Sequence, residues 1–127
     1  MTYLLIAIGS ALGGVARHAC GVLVAQRFGQ SFPWGTLFVN VVGSLAIGVA
    51  AAFVASHEKA AVAQTTREFV MIGFLGGFTT FSAFSLQTLQ LLKQNAVGPA
   101  FANVATSVVT CLIAVWLGYA ITERLAS

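Results

Sequence analysis

The chain has 127 residues, 58% of them hydrophobic and 7% charged, with a formal net charge of +3. A mean hydropathy of +0.92 excludes an ordinary soluble domain. The six Lys and Arg residues are scattered, which argues against a nucleic-acid partner. Cys20 and Cys111 lie in apolar stretches without metal-ligand spacing, so we interpret both as packing residues.

Four apolar stretches are long enough to cross a bilayer, which needs roughly 20 helical residues. They occupy nearly the whole chain, which predicts one transmembrane domain over residues 1–127. Barrel strands would be about half as long, so we predict an all-α integral membrane protein. The first stretch has no positively charged start and runs past any cleavage point, which favours a membrane helix over a signal peptide. The predicted helices cover about residues 3–28, 34–56, 69–92 and 98–122.

Basic residues are divided almost evenly between the two sides of this membrane protein. The side with both termini and the second connection carries Lys59, Arg67 and Arg124, and the other side carries Arg27 and Lys93. Because such residues set orientation, this weak bias predicts insertion in either direction and an antiparallel dimer of oppositely inserted copies. Four helices alone also leave little space for an aqueous path, so oligomerisation is expected.

In the first helix, Arg17 and His18 are ionisable residues, which within a span are functional candidates by default. Arg17 lies well past the middle of its stretch. Three interpretations of it stay open: it attracts anions in an aqueous vestibule, its long stem reaches the membrane surface, or it only packs. We interpret His18 as an interfacial or helix-contact residue.

In the second helix, Asn40 is the only strongly polar side chain. An amide buried in lipid must find a partner. Asn40 therefore either forms an interhelical hydrogen bond or offers its NH₂ group to an ion pathway.

The third helix contains paired glycines and a run of hydroxyls at mid-membrane depth, in residues 76–85, GGFTTFSAFS. Adjacent glycines and threonines are poor helix formers, and unwound backbone at this depth is tolerated only when buried in protein or lining a cavity. We predict a helix broken near its middle, with carbonyls free to bind a cation and amides free to face an anion. The alternative is a small-residue packing seam whose hydroxyls bond their own helix.

Phe81 and Phe84 are three residues apart and share a helical face, with Ser85 nearby. Their ring edges are electropositive and suit an anion, whereas core packing is the alternative role.

In the fourth helix, Asn103, Ser107 and Cys111 recur at four-residue steps. Such a polar line forms either a pore wall or an interhelical contact.

The predicted spans contain no Asp or Glu, so neither a proton relay nor a counter-ion for a cationic substrate is evident. Hydroxyls, amides and an arginine suit an anion instead. The sequence also lacks a nucleotide-binding glycine motif, a metalloenzyme spacing and a nucleophile elbow, so we do not predict an enzyme.

Along nearly its entire length, the chain resembles the family of small fluoride channels called Fluc or CrcB. Three motifs carry the resemblance: residues 9–17, GSALGGVAR; residues 34–44, WGTLFVNVVGS; and residues 73–85, GFLGGFTTFSAFS. The chain departs from the family pattern at four positions, which are His18, Ala83, Gln87 and Asn103. The commonest family residue at position 87 is acidic, so no carboxylate role is transferred there.

The resemblance implies an antiparallel, dual-topology homodimer with two permeation paths. It also implies a structural Na⁺ at the dimer interface, bound by the backbone carbonyls of Gly76 and Thr79. Arg17 would lie near a vestibule of the fluoride path. The residues implied for that path are Arg17, Asn40, Thr80, Phe81, Phe84 and Ser107.

The implied function is passive, fluoride-selective export of F⁻ from the cytoplasm across a bacterial inner or plasma membrane, which confers fluoride resistance. One alternative is a small dual-topology multidrug exporter, which should contain a membrane-embedded glutamate. The other is a non-conducting subunit of a membrane complex, in which the polar third-helix motif only packs.

Overall fold

The computed structural model describes residues 1–127 and consists of helices joined by short connections. A π-helical segment, Thr66–Leu75, lies between the third and fourth α-helices. The α-helices are, in chain order, α1 (Thr2–Phe28), α2 (Trp34–Ser56), α3 (Ala61–Thr65), α4 (Gly76–Phe78), α5 (Phe81–Lys93) and α6 (Val97–Ala126).

Four helical spans can cross a bilayer: α1, α2, the interrupted third span Ala61–Lys93, and α6. They contain 23 to 33 residues, whereas a bilayer core about 30 Å thick needs about 20. This confirms the predicted all-helical membrane fold, with a third helix broken near its middle, and the chain is a multi-pass membrane protein. Only 22 of the 127 residues are buried within the chain, so most apolar side chains face outward.

The short connections end the helices by local backbone geometry. Gly29 follows α1 with a φ of 86°, a left-handed conformation that glycine adopts without steric cost. Pro33 then precedes the first residue of α2. Asn95 turns the chain between α5 and α6 with a φ of 58°, a region in which asparagine is enriched.

Glycines set the distances between helices. A Cβ at Gly9 or Gly13 of α1 would overlap the backbone of the third span at Phe69 or Phe74. A Cβ at Gly48 of α2 would overlap the Val115 carbonyl of α6. Without a hydrophobic driving force inside lipid, such small-residue contacts let backbones approach closely and gain van der Waals attraction. Two tight helix pairs result, α1 with the third span and α2 with α6.

The third span begins at Ala61, earlier than the predicted start near Phe69, and therefore includes Glu68. The Glu68 side chain is buried, and its Oε1 accepts hydrogen bonds from Gln64 and, at 2.8 Å, from Thr2 at the start of α1. The expectation that every glutamate lies outside the helical spans is thus wrong for Glu68. It is also wrong for Glu123, because α6 extends past the predicted end near residue 122 to Ala126. The Glu68 carboxylate lies at the end of the bundle and lines neither of the two main cavities described below.

Candidate functional site

The third span breaks at Thr79 and Thr80, which are both extended, with φ and ψ of −87° and 159° for Thr79 and −154° and 117° for Thr80. Asn40 of α2 supports this break. Its Nδ2 donates to the Thr80 carbonyl at 2.9 Å, and its Oδ1 accepts from the Thr80 N–H at 2.8 Å. One side chain therefore pairs both backbone groups of a residue that would otherwise be unsatisfied inside the membrane.

The break leaves carbonyls without their helical donors, among them those of Gly76 and Thr79. In a continuous α-helix, the Thr80 N–H would bond Gly76 and the Ala83 N–H would bond Thr79. Here the Thr80 N–H donates to Asn40, and the Ala83 N–H donates to the Thr80 hydroxyl at 3.2 Å. The Gly76 and Thr79 carbonyls thus lose their helical donors, which makes both oxygens available as ligands for a hard cation such as Na⁺.

A cavity of about 400 Å³, here called the groove, runs beside the break and is bordered by α2, the third span and α6. It brings together seven of the eight site residues predicted from the sequence. Those seven are Asn40, Gly76, Thr79, Thr80, Phe81, Phe84 and Ser107.

The two phenylalanines differ in exposure. Their ring centroids lie 5.3 Å apart with planes tilted by 46°, so an edge of one ring is offset from the face of the other. Phe84 is 8% exposed, whereas Phe81 is 78% exposed. In a single chain the aromatic wall of the groove is therefore open on the Phe81 side.

Arg17 lies apart from the groove in a larger cavity of about 750 Å³, here called the polar cleft. The cleft is lined by α1, the 29–33 connection, the start of α2 and α5. Thr80 lines both cavities, so the break lies between them. The lining of the cleft includes Arg17 and His18 but no carboxylate. The electrostatics of the cleft therefore favour an anion.

Glutamines of the polar cleft are the site residues that the sequence analysis missed. Gln87 and Gln90 of α5 line it together with Gln94, the residue that follows α5, and Gln26 and Gln30 line it from α1 and the 29–33 connection. The steps of three and four residues from Gln87 to Gln94 were a detectable signal, because they place side chains on one helical face. The Gln87 Oε1 is buried without a hydrogen-bond partner.

Comparison with known proteins gives a match to one family and several relatives that share one name. The model of a family described as "CrcB-like protein, Camphor Resistance (CrcB)" matches residues 4–119. A protein of Opitutus terrae named fluoride-specific ion channel FluC is 58% identical over 117 residues, covering 92% of this chain and 89% of the relative. One of Methylocella silvestris with the same name is 51% identical over 121 residues, covering 95% and 92%.

A third relative, from Rhodospirillum rubrum and also named fluoride-specific ion channel FluC, is 49% identical over 119 residues, covering 94% of this chain and 92% of the relative. These alignments run over almost the whole of both partners, and the family match reaches all four spans. The resemblance seen in the three sequence motifs is therefore confirmed, and this chain belongs to the CrcB family.

Proposed function

We propose that this chain is a fluoride-specific ion channel through which F⁻ leaves the cytoplasm passively, so that it confers fluoride resistance on a bacterial cell. The observation that carries this proposal is the name shared by relatives of 49% to 58% identity, combined with a groove of aromatic edges, hydroxyls and an amide at a helix break. A channel of this kind catalyses no reaction, so the proposal includes no enzyme activity.

The groove offers donors that replace the hydration shell of a small anion. An amide NH₂ group has two hydrogens, and the Asn40 Nδ2 uses one for the Thr80 carbonyl. The second hydrogen is available to an ion in the groove, which Asn40 also lines. The electropositive ring edges of Phe81 and Phe84 add attraction without a fixed cation that would hold the anion in place.

The proposal includes an antiparallel homodimer, because a second copy would cover the open side of the groove. Phe81, Val108 and Leu112 line the groove and are 78%, 48% and 63% exposed in the single chain. Thr79, a polar residue beside them that is only half-buried, would otherwise lie next to lipid. The nearly even division of Lys and Arg between the two sides supports oppositely oriented subunits.

The polar cleft would be the aqueous approach to the groove. Arg17 is half-buried there among neutral side chains. A cation in a cleft without carboxylates raises the local concentration of anions. We therefore assign Arg17 to the fluoride path as an attracting group, separated from the groove by Thr80.

Fluoride efflux from liposomes that contain only the purified protein tests the proposed function. Liposomes loaded with fluoride or with chloride are followed by ion-selective electrodes after a valinomycin-mediated K⁺ pathway is opened to balance charge. Rapid fluoride loss with little chloride loss is expected. An absence of fluoride loss from well-folded protein would contradict the proposal and favour a non-conducting subunit of a membrane complex.

Replacing Phe81 or Phe84 with isoleucine is expected to lower the fluoride efflux rate by about tenfold or more, which corresponds to a loss of about 1.4 kcal/mol of stabilisation. Isoleucine keeps an apolar side chain but has no electropositive ring edge. Phe101→Ile is the matched control, because Phe101 is 75% exposed on α6 and lines neither main cavity. Unchanged efflux in both groove variants would contradict the aromatic role.

We propose that Na⁺ binds at the dimer interface through the Gly76 and Thr79 carbonyls of each chain. When bound, the ion would neutralise carbonyl dipoles that the break leaves without donors. Replacing Na⁺ by N-methyl-D-glucamine at constant ionic strength is expected to lower the thermal unfolding midpoint and the cross-linked dimer fraction. A free Na⁺ concentration of 100 times the dissociation constant of the site would stabilise the dimer by about 2.7 kcal/mol. A midpoint and a dimer fraction that do not depend on Na⁺ would contradict this site.

A further inference from the structure

Asn103 is one of the two most completely enclosed large side chains, with 1% of its surface exposed. It lies on α6 but lines neither the groove nor the polar cleft. An ion in the groove therefore does not touch it. Because its amide is buried inside a membrane protein, its hydrogen-bond partners determine its role.

A chain of three hydrogen bonds passes through Asn103. The Ser107 hydroxyl donates to the Asn103 Oδ1 at 3.4 Å, and the Asn103 Nδ2 donates to the Thr88 Oγ1 at 2.9 Å. Thr88 in turn donates to the Phe84 carbonyl at 2.8 Å. Asn103 thus joins Ser107 of the groove wall to the α5 backbone at Phe84.

The direction of donation is fixed along this chain. The single hydroxyl proton of Thr88 is used on the Phe84 carbonyl, so the Thr88 oxygen can only accept from Asn103. Asn103 must therefore turn its NH₂ group to Thr88 and its carbonyl oxygen to Ser107. As a result, the Ser107 proton points to Asn103.

Ser107 differs from three other hydroxyls of α5 and α6. Ser85, Thr88 and Thr110 each donate to the main-chain carbonyl four residues earlier, at 2.9, 2.8 and 2.6 Å. Ser107 instead bonds the side chain of the residue four positions earlier, at 3.4 Å. Hydroxyl donors normally lie about 2.7 to 2.8 Å from an oxygen acceptor, so this bond is weak and easily exchanged.

We propose that Asn103 is a positioning residue that keeps the Ser107 hydroxyl available to fluoride. This inference rests on the proposed function. Asn103 diverts the hydroxyl from the strong bond to its own helix and holds it by a weak one, so that fluoride arriving in the groove competes successfully for the proton. Without Asn103, the hydroxyl would turn to the main-chain carbonyl of residue 103, as the hydroxyls of Ser85, Thr88 and Thr110 do with the carbonyls four residues earlier.

Asn103→Leu is expected to lower the fluoride efflux rate by about tenfold, because the Ser107 hydroxyl must then leave a bond that is stronger by about 1.4 kcal/mol. Thr88→Val tests the same link without changing Asn103, since it removes the acceptor that fixes the amide, and we expect a fall of about threefold. Thr88→Ser keeps the hydroxyl and should conduct like the unchanged protein. Thr110→Val, which removes a hydroxyl from α6 outside both main cavities, is the matched control.

The Ser107→Ala background separates positioning from a general packing role. If Asn103 acts through Ser107, Asn103→Leu slows efflux in the unchanged protein but has no further effect when Ser107 is alanine. Equal fold-losses in both backgrounds would overturn the inference, as would unchanged rates for Asn103→Leu and Thr88→Val. Those results leave the proposed function intact, whereas an absence of fluoride efflux from the unchanged protein would end both proposals.

Discussion

Asn40→Ala is expected to reduce fluoride efflux to near the rate of protein-free liposomes, a loss of about 100-fold or more. The Asn40 side chain is the partner of both the N–H and the carbonyl of Thr80, which is 8% exposed. Each unsatisfied buried group costs about 1 to 3 kcal/mol. With alanine, the Thr80 N–H would return to the Gly76 carbonyl and the break would close. The measurement is the initial fluoride efflux rate per reconstituted protein.

Two further variants test this explanation. Asn40→Asp keeps an acceptor for the Thr80 N–H but places a carboxylate beside the path, so it should fold better than Asn40→Ala and still conduct poorly. Asn95→Gly is the matched asparagine control, because Asn95 has a φ of 58° in the exposed connection before α6, where glycine fits without strain. Substantial conduction by Asn40→Ala would show that the break does not depend on this side chain.

Gly13→Ala is expected to destabilise the fold more than any other methyl addition to α1, by more than about 2 kcal/mol. A Cβ at position 13 would meet the Phe74 carbonyl oxygen and lie 2.9 Å from both the Phe74 carbonyl carbon and the Phe78 nitrogen. All three atoms belong to backbone, so the obstruction is relieved only when α1 and the third span move apart. The thermal unfolding midpoint and the monodisperse fraction in detergent should both fall.

Gly14→Ala provides the neighbouring control. Beyond the backbone of its own helix, no atom lies within 4 Å of a Cβ at Gly14, so a methyl group fits there without a clash. Alanine is a better helix former than glycine by about 0.5 to 1 kcal/mol, so the unfolding midpoint should stay the same or rise. Equal midpoints for Gly13→Ala and Gly14→Ala would contradict the packing described for α1.

Hydropathy was sufficient to predict the four spans, since each apolar stretch must satisfy its own backbone in lipid. The bounds of α1 and α2 lie within one residue of the prediction. The break was predictable from the glycines and threonines of residues 76–80, which favour unwinding at mid-membrane depth. The start of the third span at Ala61 could not be predicted, because the first turns of this span are polar and resemble a connection.

Sequence patterns could not predict the hydrogen bonds between residues that are far apart in the chain. Asn40 and Thr80 lie 40 positions apart, and two roles for Asn40 were left as alternatives. The structure shows the interhelical hydrogen bond, and it also places Asn40 in the groove wall. The three residues of the polar line on α6 also have different surroundings. Ser107 and Cys111 line the groove, whereas Asn103 lies outside it and donates a hydrogen bond to Thr88.

The dependence of the break on Asn40 determines the order in which the protein acquires its shape. A third span alone in the bilayer has no Asn40 beside it, and its Thr80 N–H then finds its lowest-energy acceptor in the Gly76 carbonyl. The newly inserted segment is therefore an unbroken helix. It opens at Thr79 and Thr80 only after docking against α2, which is synthesised first. Membrane insertion thus delivers four ordinary helices, and the free carbonyls at the break are created later by their association.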